Sequence, residues 1–172
     1  MAEVMVEVLP VGTAQLKLGL LNAQALQMNK LDLITRFTNK DLPQEIVTRL
    51  EWLWEETKVV AGEVIQVGKI ILMKIWEWVE RNPNMVIGMA IGAAVGSLVG
   101  LVPFIGPFLA PIGAALGLAI GGLAGTRLDK KMDGQVVGSG GMQLAEDLIT
   151  MAKEFFKLLA AIFLGLKEYF TA

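Results

Sequence analysis

The pattern of hydrophobic and polar positions divides this chain into three parts, with breaks at Arg81 and Arg127. Outside these breaks, apolar residues recur at three- and four-residue steps among charged ones, which predicts amphipathic helices. Between them, residues 82–126 form a run of 45 residues without a charged side chain. The pattern therefore predicts an all-α protein with a membrane-embedded helical hairpin and long amphipathic helices on the cytoplasmic side.

Two regions precede the uncharged run. The first, residues 1–41, is predicted to contain an extended arm and an imperfectly amphipathic helix over 13–37. The second, residues 42–82, is predicted to be one long amphipathic helix over 42–80, with Asp41 as its N-cap and Gln44 as the capping-box partner. Such a helix is roughly 58 Å long at 1.5 Å per residue, so we expect a bend at Gly62 and Gly68.

The hairpin is assigned to residues 83–127, because Pro83 disfavours helix at the residue before it. The first membrane helix is predicted over Met85 to Val102, roughly 27 Å long. The second is predicted over Pro111 to Thr126, or from near Phe104 if its prolines are tolerated. The connection is entirely apolar, so the hairpin either crosses the bilayer fully or is re-entrant.

Glycine recurs at every fourth position in both halves of the hairpin. A glycine stripe lets two helices approach closely, and close packing is the main attraction between helices in lipid. We call these two sets the glycine stripes. The stripes either pack against each other within one hairpin or pack against neighbouring subunits in a homo-oligomer. Their members are Gly88, Gly92, Gly96 and Gly100, followed by Gly113, Gly117, Gly121 and Gly125.

Aromatic and basic residues flank the uncharged run as they do at membrane interfaces. Two tryptophans just before the run are interpreted as interfacial anchors, with burial in a core as the alternative. Two phenylalanines in the apolar connection suit the far interface. Basic residues at both ends predict that both termini are cytoplasmic under the positive-inside bias. The interface set is Trp76, Trp78, Arg81, Phe104, Phe108, Arg127, Lys130 and Lys131.

The part after the hairpin is predicted to contain a glycine-rich linker, residues 128–141, and a C-terminal amphipathic helix, residues 142–172. This helix either covers the long second helix or lies along the bilayer surface. The linker glycines lack the preceding strand and the following lysine of a phosphate-binding loop.

Composition excludes several classes of function. The chain is 54% hydrophobic, and its 15 basic and 17 acidic residues give a net charge of −2, which predicts no nucleic-acid partner. Cysteine is absent, which removes thiolate nucleophiles, and histidine is absent, which removes the commonest general base and the commonest metal ligand. The acidic pairs are adjacent in sequence, and adjacent residues on a helix do not face each other. We therefore expect no enzyme activity and no catalytic, cofactor or metal site.

The glycine stripes over Met85 to Gly125 resemble those of glycine-zipper membrane hairpins. An apolar hairpin between amphipathic helices is also similar to the membrane-inserting element of colicin-type pore formers. These resemblances imply an oligomeric pore or membrane-disrupting ring, with lipid and further copies of the chain as partners and the bacterial inner membrane as location. The alternatives are a non-conducting scaffold or anchor that recruits a protein through residues 13–80, and a soluble form whose helices wrap the hairpin until a trigger releases it.

Overall fold

A computed structural model describes the backbone of residues 7–116 and 138–171, and the side chains of residues 7–116 and 146–170. This part is mostly helical, which confirms the all-α prediction at the level of fold class, and it also contains a small sheet. The α-helices are α1 (Val11–Leu26), α2 (Lys30–Thr38), α3 (Gln44–Trp54), α4 (Val67–Arg81), α5 (Ile87–Leu101), α6 (Gly106–Ala115) and α7 (Gly138–Gly165); the strands are β1 (Lys58–Val60), β2 (Glu63–Ile65) and β3 (Phe170–Thr171).

The predicted helix over 13–37 is two helices, so that prediction was wrong in its continuity. The first ends at Leu26, and the second begins after Asn29. The Asn29 side chain accepts a hydrogen bond of 2.9 Å from the backbone N–H of Asp32, which is a regular N-cap. The amphipathic pattern continues across this break, and only the cap marks it.

The predicted capping box at Asp41 was also wrong. Asp41 adopts a positive φ of 62°, a conformation that aspartate tolerates better than most residues. Helix α3 begins at Gln44 after Pro43, and no side chain caps it. Asp41 therefore turns the chain between α2 and α3.

The predicted continuous helix over 42–80 is interrupted by a β-hairpin. Strands β1 and β2 pair antiparallel with Val60 opposite Glu63. The two residues between them, Ala61 and Gly62, have φ of 52° and 86°, and positive φ at both central positions is typical of a tight hairpin turn. The C-terminal strand β3 pairs with the other edge of β1, giving the order β2-β1-β3. The β-branched residues of this segment favour strands, and the partner that stabilises them lies more than 100 residues away.

Gly68, in the first turn of α4, brings this helix against the end of α3. Its backbone N–H donates a 3.0 Å hydrogen bond to the Glu56 carbonyl oxygen. A Cβ at this position would lie 2.8 Å from the carbonyl carbon of Leu53, at the end of α3. The two helices therefore pack backbone to backbone here, where the sequence predicted only a bend.

All seven helices contribute to one core, in which α5 packs against α4, α6 and α7, α1 packs against α4 and α7, and α3 packs against α2, α4 and α6. Within residues 7–116 and 138–171, no helix has both the length and the hydropathy to cross a membrane. Helix α7 begins at Gly138, so the last four residues of the predicted linker are helical. The predicted arm falls largely on residues 1–6, and the rest of the predicted linker falls on residues 128–137, both outside the described residues.

Candidate functional site: the uncharged helix α5 and its cover

Helix α5 is the described part of the chain that departs furthest from an ordinary water-exposed helix. Its 15 residues give a length of about 22 Å. It has no charged side chain, no side-chain cap, and neither an acidic residue in its first turn nor a basic one in its last. A helix on the surface of a water-soluble domain normally carries polar residues on one face, and α5 carries glycines and further apolar residues instead.

Helix α7 supplies the main cover of α5. The Ser97 hydroxyl donates to the carbonyl oxygen of Ile149 at 3.4 Å, which joins the two helices. Ser97 is the one polar side chain buried among the described residues. Both helices also contribute buried apolar residues to the same core, among them Ile91, Ala94, Val95 and Leu98 of α5 and Leu148, Ala152 and Phe156 of α7.

The helices around α5 keep their charges on the outer side. In α4, Lys74 and Glu77 form an ion pair of 3.3 Å. In α7, Glu154 and Lys157 form one of 3.6 Å. All four side chains retain solvent exposure, and the buried positions of both helices are apolar. Helices α4 and α7 are therefore amphipathic, and they pack their apolar sides against the uncharged helix α5.

The first glycine stripe is only partly used for packing within the described chain. Gly92 is buried, Gly88 and Gly96 are half-buried, and Gly100 is exposed. A Cβ added at Gly88 or at Gly100 would meet no neighbouring atom within 4 Å. Of the second stripe, Gly113 is buried in α6. Its other members, Gly117, Gly121 and Gly125, lie outside the described residues.

Both predicted interfacial tryptophans lie in the core, which is the alternative location that the sequence allowed. Trp76 is 7% exposed and Trp78 is 2% exposed. Trp76 meets the ring of Phe37 edge-on at 5.0 Å, and Trp78 lies 6.2 Å from the ring of Phe156. The buried indole N–H of Trp76 finds no acceptor in the described part of the chain.

The two phenylalanines of the connection contact residues that the sequence did not single out. Phe104 lies 5.2 Å from the ring of Phe170 near the C-terminus. The ammonium nitrogen of Lys58 lies 5.2 Å from the centre of the Phe108 ring, a cation–π arrangement. No local signal marks Lys58 or Phe170 as partners, because the three-stranded sheet brings them there.

Of the four basic residues in the predicted interface set, Arg81 belongs to the described part of the chain. The guanidinium carbon of Arg81 lies 5.1 Å from the centre of the Phe155 ring on α7. Arg81 is exposed and ends α4. Arg127, Lys130 and Lys131 lie outside the described residues, so the grouping of all four cations stays a prediction.

Within the described ranges, no cluster of acidic side chains could hold a metal ion. The pKa of one carboxyl is shifted clearly: a hydrogen bond from Lys30, and then the charge of Lys30, lower the pKa of Glu55. That pair is exposed and lies between α2 and α3. It is a surface ion pair and not an acid–base centre.

No protein-family model matches this chain. No curated protein and no solved structure is significantly similar to it. Its function is therefore argued from its own residues.

Proposed function

We propose that this protein is a membrane-inserting helical protein that transfers its uncharged segment, residues 82–126, into a bilayer, where it assembles into an oligomeric pore. In the folded protein, amphipathic helices cover α5, which belongs to the described part of this segment. The observation that carries the proposal is the character of α5, which is uncharged and uncapped and is covered by helices with outward-facing charges. We thereby combine the predicted pore with the alternative in which helices wrap the hairpin until a trigger releases it.

The energetics of transfer favour this segment over its neighbours. Each Asp, Lys or Arg at the centre of a bilayer helix costs about 2.5–3.5 kcal/mol on insertion scales. Residues 82–126 carry none of these costs, whereas α7 has Lys153, Glu154 and Lys157 within five residues. We therefore assign α5 and the residues that follow it to the lipid interior, and the charged part of α7 to the bilayer surface.

The glycine stripe gives the inserted segment a way to assemble. In water, the surface at Gly88 and Gly100 has open space and makes no packing contact with the described chain. In lipid, the same small residues allow a second helix to approach closely. A surface that is free of packing contacts with the described residues and suited to helix packing in lipid supports assembly after insertion.

The length of α5 limits the form of the inserted hairpin. At about 22 Å, it is shorter than a hydrocarbon core of about 30 Å. Helix α6 follows after a short 3-10 turn and contains Pro111. The inserted segment therefore either extends its helices at both ends or forms a re-entrant hairpin.

Dye release from vesicles tests the pore. Purified protein is added to phosphatidylglycerol-containing vesicles loaded with a self-quenched dye, over a range of protein-to-lipid ratios. We expect leakage that rises steeply with protein density, because several chains must meet to form one pore. Protein that binds and inserts without leakage at high density would favour the non-conducting scaffold instead.

Site-specific fluorescence tests which segment enters the lipid. The chain has no cysteine, so Gly100→Cys carries a single environment-sensitive fluorophore. Gly19→Cys in α1 is a matched control, because it is also an exposed helical glycine with open space for a Cβ. Spin labels on lipid acyl chains should quench the fluorophore at residue 100 and leave that at residue 19 bright. Quenching at residue 19 alone would refute the assignment of α5 to the lipid interior.

A further inference from the structure

A groove of about 480 Å³ lies on the protein surface where α1, α4 and α7 meet. Its volume falls within the range of about 300–1,000 Å³ that is typical of small-molecule sites. It is open along one side, and polar and apolar atoms contribute about equally to its lining; we call the apolar part its floor. That floor is formed by Leu20, Leu21, Phe155, Leu158, Leu159 and Ile162.

Two leucines of this floor are unusually exposed. Leu20 is 59% exposed and Leu158 is 55% exposed, although they belong to different helices and line the same groove. Single exposed leucines are common on protein surfaces. Two that converge on one concave surface, next to further apolar side chains, form a site that an alkyl chain can cover.

The charges at the rim of the groove do not balance. Five ionisable residues line it, and two of them, Lys74 and Glu77, are paired with each other. A third, Glu154, is paired with Lys157, which lies outside the groove. The remaining two are Lys17 and Arg81, and neither is paired with a carboxylate of the described residues. The rim therefore offers two uncommitted positive charges.

At Arg81, a positive charge lies directly beside the apolar floor of the groove. Its guanidinium lies over the ring of Phe155, which is part of the floor. A ligand with an anionic head at Arg81 would have its tail on the apolar surface directly beneath. We propose that this groove binds a single-chain anionic amphiphile, either a free fatty acid or a lysophospholipid. This site lies apart from α5, the helix on which the proposed function rests, and its test needs no membrane.

Calorimetric titration with dodecanoate, below its micelle-forming concentration, tests the site in the full chain. We expect one bound molecule per chain, and binding at least about tenfold tighter than that of the cationic dodecyltrimethylammonium. Lysophosphatidylglycerol is the second probe. Binding of both anions supports a site that tolerates either head, and binding of one identifies the source. Equal binding of anion and cation, or no saturable binding of either anion, would overturn the proposal.

Matched variants distinguish dodecanoate binding in the groove from nonspecific binding to exposed apolar side chains. The double variant Leu20→Gln with Leu158→Gln should weaken dodecanoate binding at least about tenfold, since both side chains contact the tail. Leu31→Gln is the control, because Leu31 is 76% exposed on α2 and does not line the groove. All three side chains are exposed, so the fold should tolerate each change. Equal losses in the double variant and the control would show that binding is not at this groove.

Discussion

Replacing Gly88 and Gly100 by leucine should raise the stability of the folded monomer and weaken its assembly in membranes. Both glycines lie in α5, and a Cβ at either position meets no neighbouring atom within 4 Å. Glycine within a helix costs about 0.5–1 kcal/mol relative to alanine, and leucine is nearly as good a helix former as alanine. Because both positions lie near helix ends, we take about 0.5 kcal/mol each.

The expected gain is therefore about 1 kcal/mol for the double variant, or a rise in Tm of about 2–4 °C for a domain of this size. In lipid, the same leucines would fill the surface through which we propose that the helices approach each other. Dye release per bound protein should fall at least about tenfold, because close helix packing is the main attraction there. Thermal unfolding followed by circular dichroism and vesicle leakage measure the two effects.

The matched control is Gly12→Leu with Gly19→Leu in α1, where added side chains also have open space. This variant should gain similar stability and keep full leakage. Leakage at the parental level in the α5 variant would refute the glycine stripe as an assembly surface. A fall in Tm of several degrees would refute the open-space argument itself. Gly92 is unsuitable for this experiment because it is buried.

Three further outcomes test the fold and its surface. Gly68→Ala should destabilise by about 3 kcal/mol in urea unfolding, since the new Cβ would meet the backbone of Leu53; a stabilised variant would contradict the close helix approach. Lys30→Met should raise the lowered pKa of Glu55 toward its ordinary value, because the hydrogen bond and charge of Lys30 are the largest causes of the shift; carboxyl NMR measures this pKa. A lowered pKa stabilises the fold at neutral pH, and this contribution is lost as the pH falls through that pKa; an unchanged pKa in Lys30→Met would exclude the ion pair. Phe37→Ala should cost about 3–5 kcal/mol, because its side chain is fully buried, and a cost below about 1 kcal/mol would place it outside the core.

The largest error of the sequence prediction lies where distant residues meet. Periodicity predicted one helix over 42–80, yet the chain leaves the helix after Trp54, forms a hairpin and re-enters a helix at Val67. The hairpin is stabilised by β3 from the C-terminus, and that partner has no local signature. The tryptophan pattern likewise allowed either an interface or a core, and only packing against Phe37 and Phe156 placed both indoles.

The sequence by itself determined the helical character of the chain and the uncharged run, because side-chain periodicity and charge are local properties. It also determined the positions of the glycines. Only the tertiary structure decided which glycines have open space beside them, since Gly92 is buried and Gly100, on the same helix, has room for a side chain. It alone brought Leu20 and Leu158 to one groove. The physical reason is that exposure depends on which helix covers a surface, and that choice is made by contacts between residues far apart in the chain.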